Sequence, residues 1–202
     1  ERGNAMASAS AVAATGMAAV LGGDQEEVIS AATAVGLTPA NINGAGQIVV
    51  AGTLAQIESF VAPAGARVRA LEVAGAFHTE HMASASSTLG RIGNAMSTHD
   101  PRIRLISNAD GQVVHDGRAV VRRLVSQVAQ PVRWDFCMET MLDLGITAMI
   151  EIPPAGTLTN LAKRAMPGVE TLALKTPDDL PAAWKMIERH GMKSTIETSP
   201  TW

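Results

Sequence analysis

The strongest constraint on the fold lies in residues 15–74, where six short segments follow in the order strand, helix, strand, strand, helix, strand. "TGMAAVLG" reads as an apolar strand ending in Gly22-Gly23. "DQEEVISAATAVG" opens with an Asp cap and acids in its first turn, carries apolar residues at helical spacing, and stops at Gly36. "LTPANIN" and "QIVVAG" read as two strands joined by the turn "NGAG". "TLAQIESFVAPAG" is a second helix with a Thr cap and a Pro-Gly stop. "ARVRALEVAG" alternates, with Val68, Ala70 and Glu72 on one face and Arg67, Arg69 and Leu71 on the other. This β-α-β-β-α-β order predicts a ferredoxin-like split unit, antiparallel, with both helices on one face.

After residue 74 the rhythm changes. "TEHMASASSTLGRIGNAMSTHD" predicts a long helix, and "RIRLISNADGQVV" a strand followed by a turn at Asp110-Gly111. Helices are expected in "DGRAVVRRLVSQVAQ", stopped by Pro131, and in "RWDFCMETMLDLG", ended by Gly145. "ITAMIEI" has the nearly continuous apolar run of a buried strand. "GTLTNLAKRAMPG", "VETLAL" and "TPDDLPAAWKMIERHG" then read as helix, strand and helix. Strands alternating with helices predict a parallel sheet covered on both faces. The expected fold is therefore α/β. Residues 1–14 read as the end of a helix of a large domain, 15–74 as the small subdomain, 75–190 as the large domain's C-terminal part, and 191–202 as a polar tail. The large domain shows only about three convincing strands, so further strands are expected from a segment preceding residue 1, where the opening "ERGNAMASAS" has neither an initiator Met nor a cap.

Composition narrows the function. With 202 residues and 47% hydrophobic content, the chain can bury a substantial core. The net charge of -3 gives no reason to expect nucleic acid, and any electrostatic partner must use a local patch. No apolar run nears the roughly 18 residues that span a bilayer. The lone Cys137 excludes an intrachain disulfide, suits a reducing cytoplasm, and reads as a small buried hydrophobe.

The chemistry-bearing stretch is "LEVAGAFHTEHM". His78, Glu80 and His81 lack the i, i+4 histidine pair of the zincin motif, and no third ligand stands nearby, so no metal is expected. A packed core histidine is one reading of His78. A general base at a strand-to-helix junction is the more attractive one, since binding groups gather there. "NINGAGQIVVAG" fails as a dinucleotide fingerprint because its glycines precede a strand. No G-x-S-x-G elbow occurs anywhere in the chain.

Taken together, "RGNAM", "TGMAAVLG", "ANINGAGQIVVAG", "AFHTEHM", "LISNADG", "LVSQVAQPVRWDFCMETMLDLG" and "EIPPAGTLTNLAKR" resemble, in order and spacing, the C-terminal two-thirds of malonyl-CoA:acyl carrier protein transacylases. The resemblance runs from residue 1 to about 185. It implies an α/β-hydrolase-like large domain with an inserted ferredoxin-like subdomain, no cofactor, and transfer of malonyl from malonyl-CoA to an acyl carrier protein in fatty-acid synthesis, by a cytoplasmic enzyme that is monomeric when intact. His78 matches the catalytic histidine, and Gln127 the residue whose backbone carbonyl holds the imidazole. Arg2 matches the arginine that forks onto the malonyl carboxylate. Phe77 resembles the residue that narrows the acyl pocket, and Asn43 a polar residue lining the cleft between the domains. Two departures stand out. The serine elbow and the oxyanion-hole segment would lie upstream of Arg2, so this chain alone is expected to be inactive; and the usual G-P-G turn reads "PPAG". An acidic carrier protein implies a basic patch, for which Arg67, Arg69, Arg122, Arg123, Lys163 and Arg164 are candidates. The alternatives are an acyltransferase domain of a polyketide or large fatty-acid synthase, and a non-catalytic binding module.

Overall fold

The computed structural model describes residues 1–191. They divide into two compact units at Asp143/Leu144, each treated separately below.

The first unit begins with α1 (Arg2–Ser10) and continues through β1 (Thr15–Gly22), α2 (Gln25–Ala34), β2 (Thr38–Gly44), β3 (Gln47–Thr53), α3 (Leu54–Ser59) and β4 (Ala66–Leu71). These strands lie in the order β4-β1-β3-β2, antiparallel throughout. The caps explain the helix starts. Asp24 accepts from the backbone N–H groups of Glu26 and Glu27, and Thr53 forms a capping box with Gln56. The second helix is shorter than its apolar run predicts. Chain extension at Phe60 ends it and delivers that ring into the core.

Both faces of this sheet are covered. On one, Ala18 and Val20 of β1 lie beside Val50 and Ile48 of β3 and pack on Val28 and Ala32 of α2. On the other, Met17, Val49 and Ala51 pack with Ala40, Ala76 and Phe77. Strand period 2 thus sends alternate residues to two cores, and the second of these supports the segment that carries His78. β4 is an edge strand, exposed along most of its length. Its register opposite β1 puts Val68 and Ala70 on the α2 face, and Arg67, Arg69 and Leu71 on the Phe77 face, as the alternation predicts.

A single 3-10 turn at Glu80–Met82 leads into α4 (Ala83–Ala95), which ends earlier than the sequence predicts. β5 (Leu105–Ile106) and β6 (Val113–Val114) form a two-residue antiparallel pair. α5 (Gly117–Gln127) starts on an Asp116 cap, β7 (Val132–Arg133) follows, and α6 (Trp134–Asp143) closes the unit. β7 pairs in parallel with β2, making a fifth strand of the sheet that no sequence periodicity announced.

The second unit contains β8 (Ala148–Glu151), α7 (Thr157–Ala165), β9 (Glu170–Ala173) and α8 (Leu180–His190). β8 and β9 pair in parallel. Arg189 and His190, in the last turn of α8, both meet the carboxylate of Glu170. The molecule is thus a mixed α/β structure, but in place of the expected continuous parallel sheet, parallel pairing among the described residues is confined to β2–β7 and β8–β9. β8 is correspondingly half-buried instead of buried, with Ile152 exposed, because it is paired along one edge only. The tail expected at 191–202 lies, apart from Gly191, outside the described residues.

Candidate functional site

His78 is mounted on a tight segment between β4 and α4. Gly75 precedes it where Ser10 of α1 approaches so closely that a Cβ would collide with the hydroxyl. Ala76 is fully buried, and Phe77 packs into both neighbouring apolar clusters. His78 has φ +61°, a left-handed conformation uncommon for any residue but glycine and asparagine. Such strain persists only where the surroundings hold it. Here the His78 N–H donates to the Val128 carbonyl at 3.2 Å, and the ring Nδ1 lies 2.7 Å from the Gln127 carbonyl oxygen.

That second contact sets the tautomer. A backbone carbonyl only accepts, so Nδ1 carries the proton and donates it, leaving Nε2 with a free lone pair. Burial lowers the imidazole pKa below its ordinary value; the Gln127 carbonyl opposes this, and the positive charge of Arg2 adds to it. His78 is therefore a neutral, oriented base at neutral pH.

Gln127, the last residue of α5, is buried, and its side chain closes the turn behind it. Its amide N–H groups donate to the carbonyls of Gln130 and Pro131, at 2.9 and 2.8 Å. The same residue therefore shapes the turn and presents the carbonyl. Arg2, in the first turn of α1, is exposed and makes no ion pair among the described residues. It borders a mostly apolar groove of about 150 Å³ with Leu89 and Ile92 of α4, Met96 just after it, and Leu124 of α5. A guanidinium without a carboxylate partner beside a neutral imidazole is suited to an anionic substrate.

The structure thus brings His78, Gln127, Phe77 and Arg2 together. Asn43 stands apart. It sits at an irregularity in the β2–β3 pairing, and its amide donates to Gln47 in the same hairpin at 3.4 Å. Of the basic candidates, Arg67 and Arg69 are exposed on one face of β4, whereas Arg123 is committed to Asp110 at 2.5 Å. Sequence reasoning missed the left-handed turn at His78. Its one signal was Thr79 directly after the histidine, a helix-capping residue type.

Other groups do not compete for the chemistry. Burial, with the charges of Asp135 and Asp110, pushes the Cys137 thiol up to about 11, and the sulfur faces the Ser107 carbonyl. No cluster of three or more His, Cys, Asp or Glu side chains arranged to hold a metal occurs among the described residues. None of the described helices is long and apolar enough to cross a membrane.

Comparison with known proteins gives this geometry a context. No family model matches the chain. It is 51% identical over 181 residues to the malonyl CoA-acyl carrier protein transacylase of Mycobacterium tuberculosis, covering 89% of this chain and 60% of that protein. The Mycolicibacterium smegmatis protein of the same name is 48% identical over 185 residues, covering 89% of this chain and 64% of that protein. Among solved structures, MCAT from Mycobacterium tuberculosis superposes with a TM-score of 0.86 at 50% identity, over 90% of this chain and 61% of that one. A malonyl-transacylase in complex with a type II PKS acyl-carrier protein superposes at 0.84 with 26% identity, over 92% of this chain and 62% of that one. The chain thus spans under two-thirds of the length of these relatives.

Proposed function

We propose that this chain, homologous to malonyl CoA-acyl carrier protein transacylases along nearly nine-tenths of its length, carries the base and the substrate-carboxylate site of such an enzyme. The observation that carries the reading is the His78 imidazole, with Nδ1 held on the Gln127 carbonyl and its charge state biased by Arg2.

In this mechanism Arg2 forks onto the free carboxylate of the malonyl group, a planar match that lysine does not offer. His78 Nε2 takes the proton from a serine hydroxyl as that oxygen attacks the thioester carbonyl; the imidazolium returns the proton as the coenzyme A thiolate departs. In the second half-reaction Nε2 takes the proton of the carrier protein's phosphopantetheine thiol, malonyl passes from serine to sulfur, and the imidazolium returns the proton to the departing serine oxygen. The serine and the oxyanion donors belong to the part of the protein that these 202 residues do not span, so the chain alone does not turn over. Phe77 narrows the acyl pocket, and Asn43 lines the cleft between the large domain and the β1–β4 sheet, which is the ferredoxin-like small subdomain in this reading. Support for that subdomain is the strand order β4-β1-β3-β2 with α2 packed on one face. The acceptor is an acyl carrier protein of cytoplasmic fatty-acid synthesis, met by the exposed Arg67 and Arg69.

The test is mass-spectrometric detection of malonyl transfer from malonyl-CoA to holo acyl carrier protein by the full-length protein. The wild type transfers, and His78→Ala is slower by a hundredfold or more, the usual contribution of a positioned general base. An undiminished rate in His78→Ala removes this reading.

A further inference from the structure

We propose that Thr15 and Thr79 are positioning residues for His78: their two buried hydroxyls grip both polar groups of Ala76 and lock the turn on which the imidazole is mounted. The proposal rests on the reading of His78 as the base, and its test is independent of turnover.

Ala76 is 0% exposed, so neither its N–H nor its carbonyl can turn to water. The N–H donates to Thr15 Oγ1 at 3.1 Å, and the carbonyl accepts from Thr79 Oγ1 at 2.7 Å. Both hydroxyls are themselves buried, Thr15 at 8% and Thr79 at 1% exposure. Thr15 is the first residue of β1, hydrogen-bonded along the strand to β3. It therefore anchors the turn to the β1–β3 pairing of the sheet, across 61 residues of sequence. Thr79 lies on the other side of His78, where its hydroxyl also accepts from the His81 N–H and starts the following helix.

The geometry between these grips explains the left-handed histidine. With Ala76 fixed at both polar ends, the Phe77 N–H held on the Gly75 carbonyl at 3.1 Å and Thr79 fixed at the helix start, the reversal of direction falls on His78. That reversal sends the His78 N–H to Val128 and the ring to Gln127, two consecutive acceptors at the end of α5. Releasing either hydroxyl leaves a buried amide group unpaired and frees His78 to relax toward an ordinary conformation. The ring then loses its carbonyl partner, and the tautomer is no longer set.

The experiment uses the full-length protein, uniformly labelled with ¹⁵N. In the wild type the His78 ring shows the Nδ1–H tautomer with slow exchange of that proton. Thr15→Val and Thr79→Val, close in shape but lacking the hydroxyl, are expected to speed the exchange tenfold or more and to shift the ring nitrogens toward the tautomer mixture of a free imidazole. Thr15→Ser and Thr79→Ser restore the wild-type signals. Amide shifts of Ile48 and Val50, in the sheet core, report that each variant is folded. If Thr79→Val does not fold, Thr15→Val carries the test, because Thr15 caps no helix. Unchanged exchange and tautomer in the folded valine variants overturn the proposal, as does an equal effect in the serine variants, which would assign the role to the methyl group. His78→Ala kinetics decide the transacylase reading separately.

Discussion

The sharpest stability prediction concerns Glu151, at the end of β8. Its carboxylate is 7% exposed, yet it accepts four hydrogen bonds: from the N–H groups of Gly156, Leu158 and Thr159 at 2.8, 2.9 and 2.8 Å, and from the Thr159 hydroxyl at 2.6 Å. α7 has no side-chain cap of its own, so a strand residue supplies the anion that its N-terminus lacks. Burial alone would raise the Glu151 pKa, but the hydroxyl and amide of Thr159 with the Leu158 and Gly156 amides bring it down to about 2, from 4.5. At about 1.4 kcal/mol per pKa unit, the ionised carboxylate contributes on the order of 3 kcal/mol to the second unit. The sign follows from the lowered folded value: the contribution is complete above about pH 4.5 and disappears as the pH falls toward about 2. Glu151→Gln keeps the shape, removes the charge, and turns an NH2 group onto a donor. At pH 7 the variant is expected to lose about 3 kcal/mol, which would appear as roughly hundredfold faster hydrogen exchange at the Leu158 and Thr159 amides. Wild type and variant should converge only as the pH falls to about 2. A loss under about 1 kcal/mol, or one that does not change between pH 7 and pH 3, would refute the reasoning.

Two further outcomes follow from the site in the first unit. Arg2→Ala removes a charge that lowers the His78 pKa, so the imidazole midpoint moves up toward its ordinary value and the acid limb of the full-length protein's kcat/KM profile moves to higher pH; a midpoint that falls or stays put excludes Arg2 as a neighbour of the ring. Arg2→Lys keeps the charge but not the fork, so the limb stays in place while KM for malonyl-CoA rises. Arg67→Glu with Arg69→Glu reverses two exposed charges on β4, and is expected to raise KM for acyl carrier protein about tenfold through weakened electrostatic complementarity. Malonyl-CoA hydrolysis should not change, and an unaltered KM for the carrier protein excludes this face as its landing site.

The parts of the fold legible in sequence are those where local chemistry and tertiary demand agree. Residues 15–71 carry an Asp24 cap, a Thr53–Gln56 box and clean alternation, and the strand order 4-1-3-2 follows their arrangement. β7 was not legible because two residues have no period; what makes Val132–Arg133 a strand is the free edge of β2 beside it. The burial of β8 was misread for a related reason. "ITAMIEI" has the composition of a strand covered on both faces, but composition does not supply the neighbours, and Ile152 is exposed here. At the candidate site, the place of His78 between strand and helix was legible in the sequence, whereas its left-handed backbone goes with contacts to Val128 and Gln127, some fifty residues away.

The partner of that histidine also explains its tuning. A carboxylate on Nδ1 would orient the ring and stabilise the imidazolium together, and so raise the pKa. A backbone carbonyl orients the ring as well, but brings only a dipole to the charged form. Burial and the Arg2 charge then prevail, and the pKa falls below the ordinary imidazole value. The result is a weaker base that favours its neutral form at neutral pH. In the transfer proposed above the acceptor is a thiol, itself acidic by the standards of a hydroxyl, and there fixed orientation and availability matter more than basicity. Tautomer control is thereby separated from charge stabilisation, and the site can keep a cationic arginine beside its base with no carboxylate on Nδ1 to pair with it.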